Sequence, residues 1–169
     1  MNAKALGLLA VLGVSALGFA QDEVTASAEE VLFIDAAAQT DIFEIAAARL
    51  ALAQAESPEV VAFAEATIDA HTRTTVELLP LADDLGVTPT SSGSPADGVL
   101  LSELRGLTGA EFDAAYLEQG VRAHEGAVTV YTLSQDSVSD PALAAFIERT
   151  LPMLREQLDE ARALAGSLN

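Results

Sequence analysis

Ser57–His71 reads SPEVVAFAEATIDAH, and Asp140–Leu154 reads DPALAAFIERTLPML. Setting the two side by side decides the fold. Each opens with an N-cap residue followed by proline at the first helical position, where a missing N–H costs nothing. Adding 83 to the numbers of the first stretch gives the second: Pro58 meets Pro141, Ala62 meets Ala145, Phe63 meets Phe146, Glu65 meets Glu148, Thr67 meets Thr150 and Ile68 meets Leu151. The same offset pairs Phe33 with Tyr116 and Asp35 with Glu118, and no gap is needed. Alanine-rich helices resemble one another by chance, but matched Pro, Phe, Glu and Thr at fixed spacing weigh against that here. The chain reads as a duplicated helix hairpin.

The rest of the chain follows from these two starts. Ser27 with Glu30 makes a capping-box pattern for a helix over about 27–55. Ser57-Pro58 starts a second helix, 58–85, which stops at Gly86. A Thr-, Ser-, Pro- and Gly-rich loop precedes a short helix over 97–105. Thr108 with Glu111 reads as another capping box, opening a helix over 108–136, and Asp140-Pro141 opens the last, 141–165. Pro80 and Pro152 fall inside helical patterns and predict local bends. No segment alternates as a strand does. Short turns within each hairpin and a long link between them predict an all-α, up-down-down-up four-helix bundle with one long crossover, over 27–169. That connectivity is ferritin-like.

Residues 1–20 carry a different signal. Lys4 is followed by the uncharged apolar run Ala5–Phe19, and Gly18 and Ala20 stand at −3 and −1 of a cleavage site before Gln21. The pattern is that of a cleaved secretory signal peptide, too short to span a bilayer comfortably. It predicts a periplasmic or secreted protein of about 149 residues, ample for one domain core. There is no cysteine, so neither a disulfide nor a lipobox anchor is expected. The net charge is −18, and Lys4 is the only lysine. So acidic a surface repels phosphate backbones and anionic headgroups, which argues against nucleic acid as a partner.

The candidate site lies on the apolar seams. Stepping by three and four, the helices give Phe33-Ala37-Thr40-Glu44-Ala47, Thr67-His71-Thr74-Leu78, Gly120-His124-Ala127-Tyr131 and Thr150-Leu154-Gln157-Ala161. Each seam is polar near its middle. Glu44 lies thirteen residues before Ser57 and His71 fourteen after it; His124 lies sixteen before Asp140 and Gln157 seventeen after it. Each pair should stand level, and the pseudo-two-fold brings both pairs to one layer. Glu44, His71, His124 and Gln157 are therefore the predicted convergent set. Two imidazoles with a carboxylate suit a divalent transition metal such as Zn, Cu, Ni or Fe. The competing reading is a hydrogen-bonded polar cluster, with Glu44 accepting from a histidine and Thr67 and Thr74 completing it. Asp69 is near His71 in sequence but on another helix face. Tyr116, two turns before His124, reads as core.

Enzymatic constellations are absent. A di-iron site needs Glu three residues before each histidine; Ile68 and Val121 stand there instead. There is no cysteine nucleophile, Gly-x-Ser-x-Gly frame or phosphate-binding loop.

Phe33–Ala38 with Phe43-Glu44-Ile45 and Arg49-Leu50-Ala51, Pro58–Ala64 with Ile68–Thr72, Gly109–Tyr116 with His124, and Thr150–Glu156 together resemble one bacterial exported family, filed as domain of unknown function 4142. Its members are often labelled outer membrane proteins and sit among the ferritin-like bundles. The resemblance implies an exported four-helix bundle and draws attention to Glu44, Asp69, His71, Tyr116 and His124. Where the family pattern usually has a histidine after Leu-Arg-Glu of the last helix, this chain has Gln157, which implies a weakened or lost site if that histidine is a ligand. The mature sequence has no barrel strands and no second apolar span, so an outer-membrane location is not supported by it. Two functions remain open from sequence. One is a bundle binding a metal ion or small polar ligand between helices. The other is a non-catalytic envelope interaction or stress-related module, with a protein partner, whose polar layer is only structural.

Overall fold

In the computed structural model the described residues are 25–168; the predicted signal peptide lies outside them. Five helices follow one another: α1 Ala28–Gln54, α2 Pro58–Asp84, α3 Pro95–Arg105, α4 Gly109–Ser134 and α5 Pro141–Ser167. The long helices α1, α2, α4 and α5 form the bundle. α1 packs on α2 and α4, and α5 packs on α4 and α2, so α1–α5 and α2–α4 are the diagonals. Nothing among the described residues is a strand.

Local chemistry sets the helix ends. Ser27 and Glu30 form a reciprocal capping box, Ser57 accepts from the Val60 N–H, and Asp140 accepts from Ala142 and Leu143. Gly86, at φ 68°, ends α2, and the Val87 N–H turns back to the Ala82 carbonyl. α3 starts two residues before the expected 97, because Ser94 and Asp97 cap it with Pro95 at its first turn. The capping box read at Thr108 does not form: Thr108 occupies the N-cap position without a side-chain bond. Glu56, from the α1–α2 turn, serves the Ala110 N–H instead, at 3.2 Å. α2 and α5 run on through Pro80 and Pro152.

The pseudo-two-fold is written in the turns. Asp113 accepts from the Glu56 and Ser57 N–H groups at 3.1 and 2.8 Å, joining the start of α4 to the α1–α2 turn. Glu30 accepts from Ser139 and Asp140 at 3.0 and 2.8 Å, joining the start of α1 to the α4–α5 turn. All these positions differ by 83, so each hairpin carries a carboxylate that caps the turn of the other. The bonds also fix direction: α1 ends where α4 begins, and α1 begins where α4 ends. The long crossover travels back along α1. Thr90 N–H bonds Asp35, and Gln54 bonds the carbonyls of Leu104 and Leu107 at the other end.

The core is split. One apolar cluster, around Phe33, Leu78, Tyr131 and Phe146, fills the end holding the α4–α5 turn. Another, around Phe63, Phe112, Tyr116 and Ala161, fills the end holding the α1–α2 turn. Ring pairs Phe33–Phe146 and Phe63–Tyr116, with centroids 6.3 and 6.1 Å apart, are each other's counterparts in the repeat. Between the clusters the seams turn polar.

Candidate metal centre

The polar belt joins Asp41 and Glu44 of α1, Thr67, His71 and Thr74 of α2, His124 of α4 and Gln157 of α5, all of them buried. His71 and His124 are 0% exposed and Glu44 1%, so water cannot satisfy these groups from outside. Their partners inside the protein decide what they can do.

His71 meets Asp41 through Nδ1, 2.8 Å from Oδ1. The Thr74 and Thr75 hydroxyls also reach Asp41, at 2.8 and 2.9 Å, one on each carboxylate oxygen. A carboxylate only accepts, so His71 donates from Nδ1 and its Nε2 is left over. Nε2 has no partner in ordinary hydrogen-bonding geometry among the described residues, although the Gln157 side chain is near enough to act on the ring. His124 is held the same way by different means. Its Nδ1 faces the Gly120 carbonyl at 2.8 Å and Glu44 Oε1 at 3.2 Å. The Gly120 carbonyl holds the hydrogen on Nδ1, and Nε2 faces the Gln157 Oε1, 3.2 Å away. Glu44 Oε1 lies beside Nδ1 outside hydrogen-bonding geometry and has no hydrogen-bond partner.

The belt is therefore rich in lone pairs. Two buried atoms, His71 Nε2 and Glu44 Oε1, lack a partner in hydrogen-bonding geometry, and His124 Nε2 faces Gln157 Oε1 across a contact that holds no hydrogen when Nδ1 carries it. Glu44, His71 and His124 each offer a ligand atom within 4.8 Å of the others, so the group can hold a metal ion. The rings meet edge to face with centroids 5.6 Å apart.

Protons are the alternative occupant. Burial alone would lower the His71 pKa, but the Asp41 bond, the charges of Glu44 and Asp41, and the neighbouring Gln157 side chain outweigh it and leave it raised. A raised folded value stabilises the protein below the ordinary histidine value, and that contribution is lost as pH rises through the folded one. The melting temperature of chelator-treated protein should thus fall as pH climbs above 6.5. His71→Leu should flatten that limb; an unchanged slope in a pH series of melting curves would place the titrating group elsewhere.

Tyr116 is buried, and its hydroxyl lies by Thr67 without a bond of ordinary geometry. Burial and the Glu44 charge raise its pKa, so the phenol stays protonated. Phe63 packs against both the Tyr116 ring and that of His124, with centroids 6.1 and 6.3 Å away. Asp69 is exposed in a surface ion pair with Arg73 and takes no part in the belt.

The profile of the family described as Domain of unknown function (DUF4142) matches residues 16–164, spanning all four bundle helices. The chain belongs to DUF4142. The fold of this DUF4142 chain is shared with a solved structure described as a DUF305 fragment from Deinococcus radiodurans. The TM-score is 0.76 at 16% identity, covering 85% of this chain and 99% of that one. At that identity the likeness speaks for the fold alone. No curated protein matches the chain.

The four residues singled out from sequence do meet in the belt, but Asp41 was missed. Stepping by three and four put Thr40 on the seam, and Thr40 bonds back to the Ala36 carbonyl instead. A helix in a bundle buries a stripe wider than one residue, and Asp41 shares that stripe. Two signals pointed to it: it stands one turn before Glu44, and the offset of 83 pairs it with His124. Of the two threonines expected in the network, Thr74 joins it, whereas Thr67 bonds the Phe63 carbonyl.

Proposed function

We propose that this DUF4142 protein is an exported four-helix bundle that holds one divalent transition-metal ion in its core. Glu44, His71 and His124 supply the charged and imidazole donors, and Gln157 supplies a neutral amide oxygen. The observation that carries the reading is the pair of unpartnered buried atoms, His71 Nε2 and Glu44 Oε1, converging with His124. A mixed nitrogen and oxygen set of this kind suits Zn, Ni, Cu or Fe(II). A single ion is favoured because the repeat breaks here: the counterparts of Glu44 and His71 at the offset of 83 are Ala127 and Leu154, both apolar. The export step rests on residues 1–20, with a periplasmic or secreted location as its outcome. None of the described helices is long and apolar enough to cross a membrane.

Titration of tag-free, chelator-treated protein with zinc tests the reading, followed by calorimetry and elemental analysis. One ion per chain is expected, bound more tightly than about 1 μM, with a melting temperature that climbs with zinc concentration. His71→Leu should weaken binding by roughly a hundredfold or more, since it removes a ligand rather than a supporting group. Gln157→His should tighten it by roughly tenfold, because imidazole is the better donor for these metals. Wild-type protein that takes up no zinc, nickel or copper in this range defeats the proposal.

A second reading is favoured by the Asp41–His71–Thr74–Thr75 bonds, which are complete without an ion. Here the belt fixes helix register in a non-catalytic envelope interaction or stress-related module. Zinc would then leave the melting temperature unmoved.

A further inference from the structure

We infer that Asp41 is the positioning residue of the centre: it holds the Nδ1 hydrogen of His71 and thereby turns a bare Nε2 toward Glu44 and His124. This rests on the metal reading above for its purpose, but not for its test.

Donors and acceptors decide where the ring hydrogen sits. A neutral imidazole carries one hydrogen, on the nitrogen that finds the better acceptor. Two carboxylates compete for the hydrogen of His71. If Glu44 took it, Nε2 would be protonated and unable to ligate. Asp41 prevents this through placement. It lies 2.8 Å from Nδ1 and is itself held from behind by Thr74 and Thr75. Those threonines sit three and four residues after His71 on the same helix, and each hydroxyl also lies 2.9 Å from the His71 carbonyl. Carboxylate, ring and hydroxyls thus form one rigid unit on the α1–α2 pair. Asp41 is 3% exposed, so the unit is shielded from competing water.

The repeat strengthens the assignment. At the offset of 83, Asp41 and Thr74 correspond to His124 and Gln157, and both pairs are in contact. One copy of the motif contributes a donor that faces the centre. The other contributes the group that orients a donor. His124 needs no such carboxylate, because the Gly120 carbonyl one turn earlier on its own helix holds its Nδ1 hydrogen. His71 makes no such bond to α2: its Nδ1 turns to Asp41 of α1 instead. The position of Asp41 supplies what the helix does not.

The test reads the ring directly. In 15N-labelled, chelator-treated protein, long-range proton–nitrogen spectra recorded where His71 is neutral should show Nδ1 protonated and Nε2 bare. Asp41→Asn preserves shape but offers one acceptor oxygen to the three donors that Asp41 receives. The Nε2–H form should therefore appear in its spectrum, and zinc affinity should fall by roughly 10–100-fold, as is usual when the carboxylate behind a ligating histidine is lost. Asp41→Glu, which keeps the carboxylate, should recover part of that affinity. Wild-type His71 with its hydrogen on Nε2 would overturn the inference, as would Asp41→Asn binding zinc within twofold of wild type. Should Asp41→Asn not fold, the wild-type spectrum decides alone. Wild-type protein with bare Nε2 that binds no metal would uphold the role of Asp41 and defeat the metal reading.

Discussion

Asp41→Ala is expected to destabilise the metal-free domain by about 3–5 kcal/mol, the range seen when one member of a buried charged pair is removed. The carboxylate receives the His71 ring and two threonine hydroxyls. Removing it leaves a buried imidazole with neither nitrogen partnered, beside Glu44. For a domain of this size the loss corresponds to a drop in melting temperature on the order of 10 °C. Asp69→Ala is the matched control, because Asp69 is exposed and pairs with Arg73 only at the surface. Its effect should stay within about 0.5 kcal/mol. Urea denaturation at neutral pH after chelation separates the two. A loss below about 1 kcal/mol for Asp41→Ala would mean that the belt tolerates an unpartnered imidazole.

The second large effect concerns the turns. Glu30→Ala and Asp113→Ala should each cost about 2–3 kcal/mol, since each carboxylate receives two backbone N–H groups of the opposite hairpin in charge-assisted bonds. The two residues serve opposite ends of the bundle, so the double variant should lose about the sum. A double variant no weaker than either single one would show that the caps are not independent. Glu30 adds a pH signature. Its pKa is lowered by the Ser27 backbone bond, against the opposing effect of burial, with the Asp140 and Ser139 bonds adding to the lowering. A lowered folded value stabilises fully above the ordinary glutamate value of 4.5, and the contribution disappears as pH falls through the folded one. Glu30→Gln should therefore flatten the acid limb of the stability curve while leaving the limb above 6.5, governed by His71, in place.

The fold was readable because its signals are local and repeated. Ser57-Pro58 and Asp140-Pro141 specify helix starts through backbone chemistry alone, and a fixed offset without gaps leaves little freedom in how two hairpins pair. The level of the site was readable too: counting from the turns put Glu44 beside His71 and His124 beside Gln157, and the contacts at 3.2 Å from His124 to Glu44 and Gln157 agree with that register. Side-chain direction was harder. A seam drawn in steps of three and four selects Thr40 over its neighbour Asp41, and only packing decides which of the two turns inward. The Thr108 cap failed for a related reason. An orphan N–H of the first turn, that of Ala110, is met from the α1–α2 turn by Glu56, a tertiary bond that no pattern within α4 encodes. Bonds within one turn of helix are visible in a sequence; bonds between helices become visible only once the register is known.

The reciprocal caps carry one more consequence. Among the described residues, each side-chain bond between the two hairpins joins a residue before the Leu85–Ser94 segment to one after it, and none depends on both halves lying in the same molecule. Two chains exchanging their second hairpins would keep both carboxylates on both turns and rebuild the belt twice over. Whether a chain closes on itself or on a second copy is then set by the length and anchoring of that one connecting segment, tied to α1 by Thr90 on Asp35.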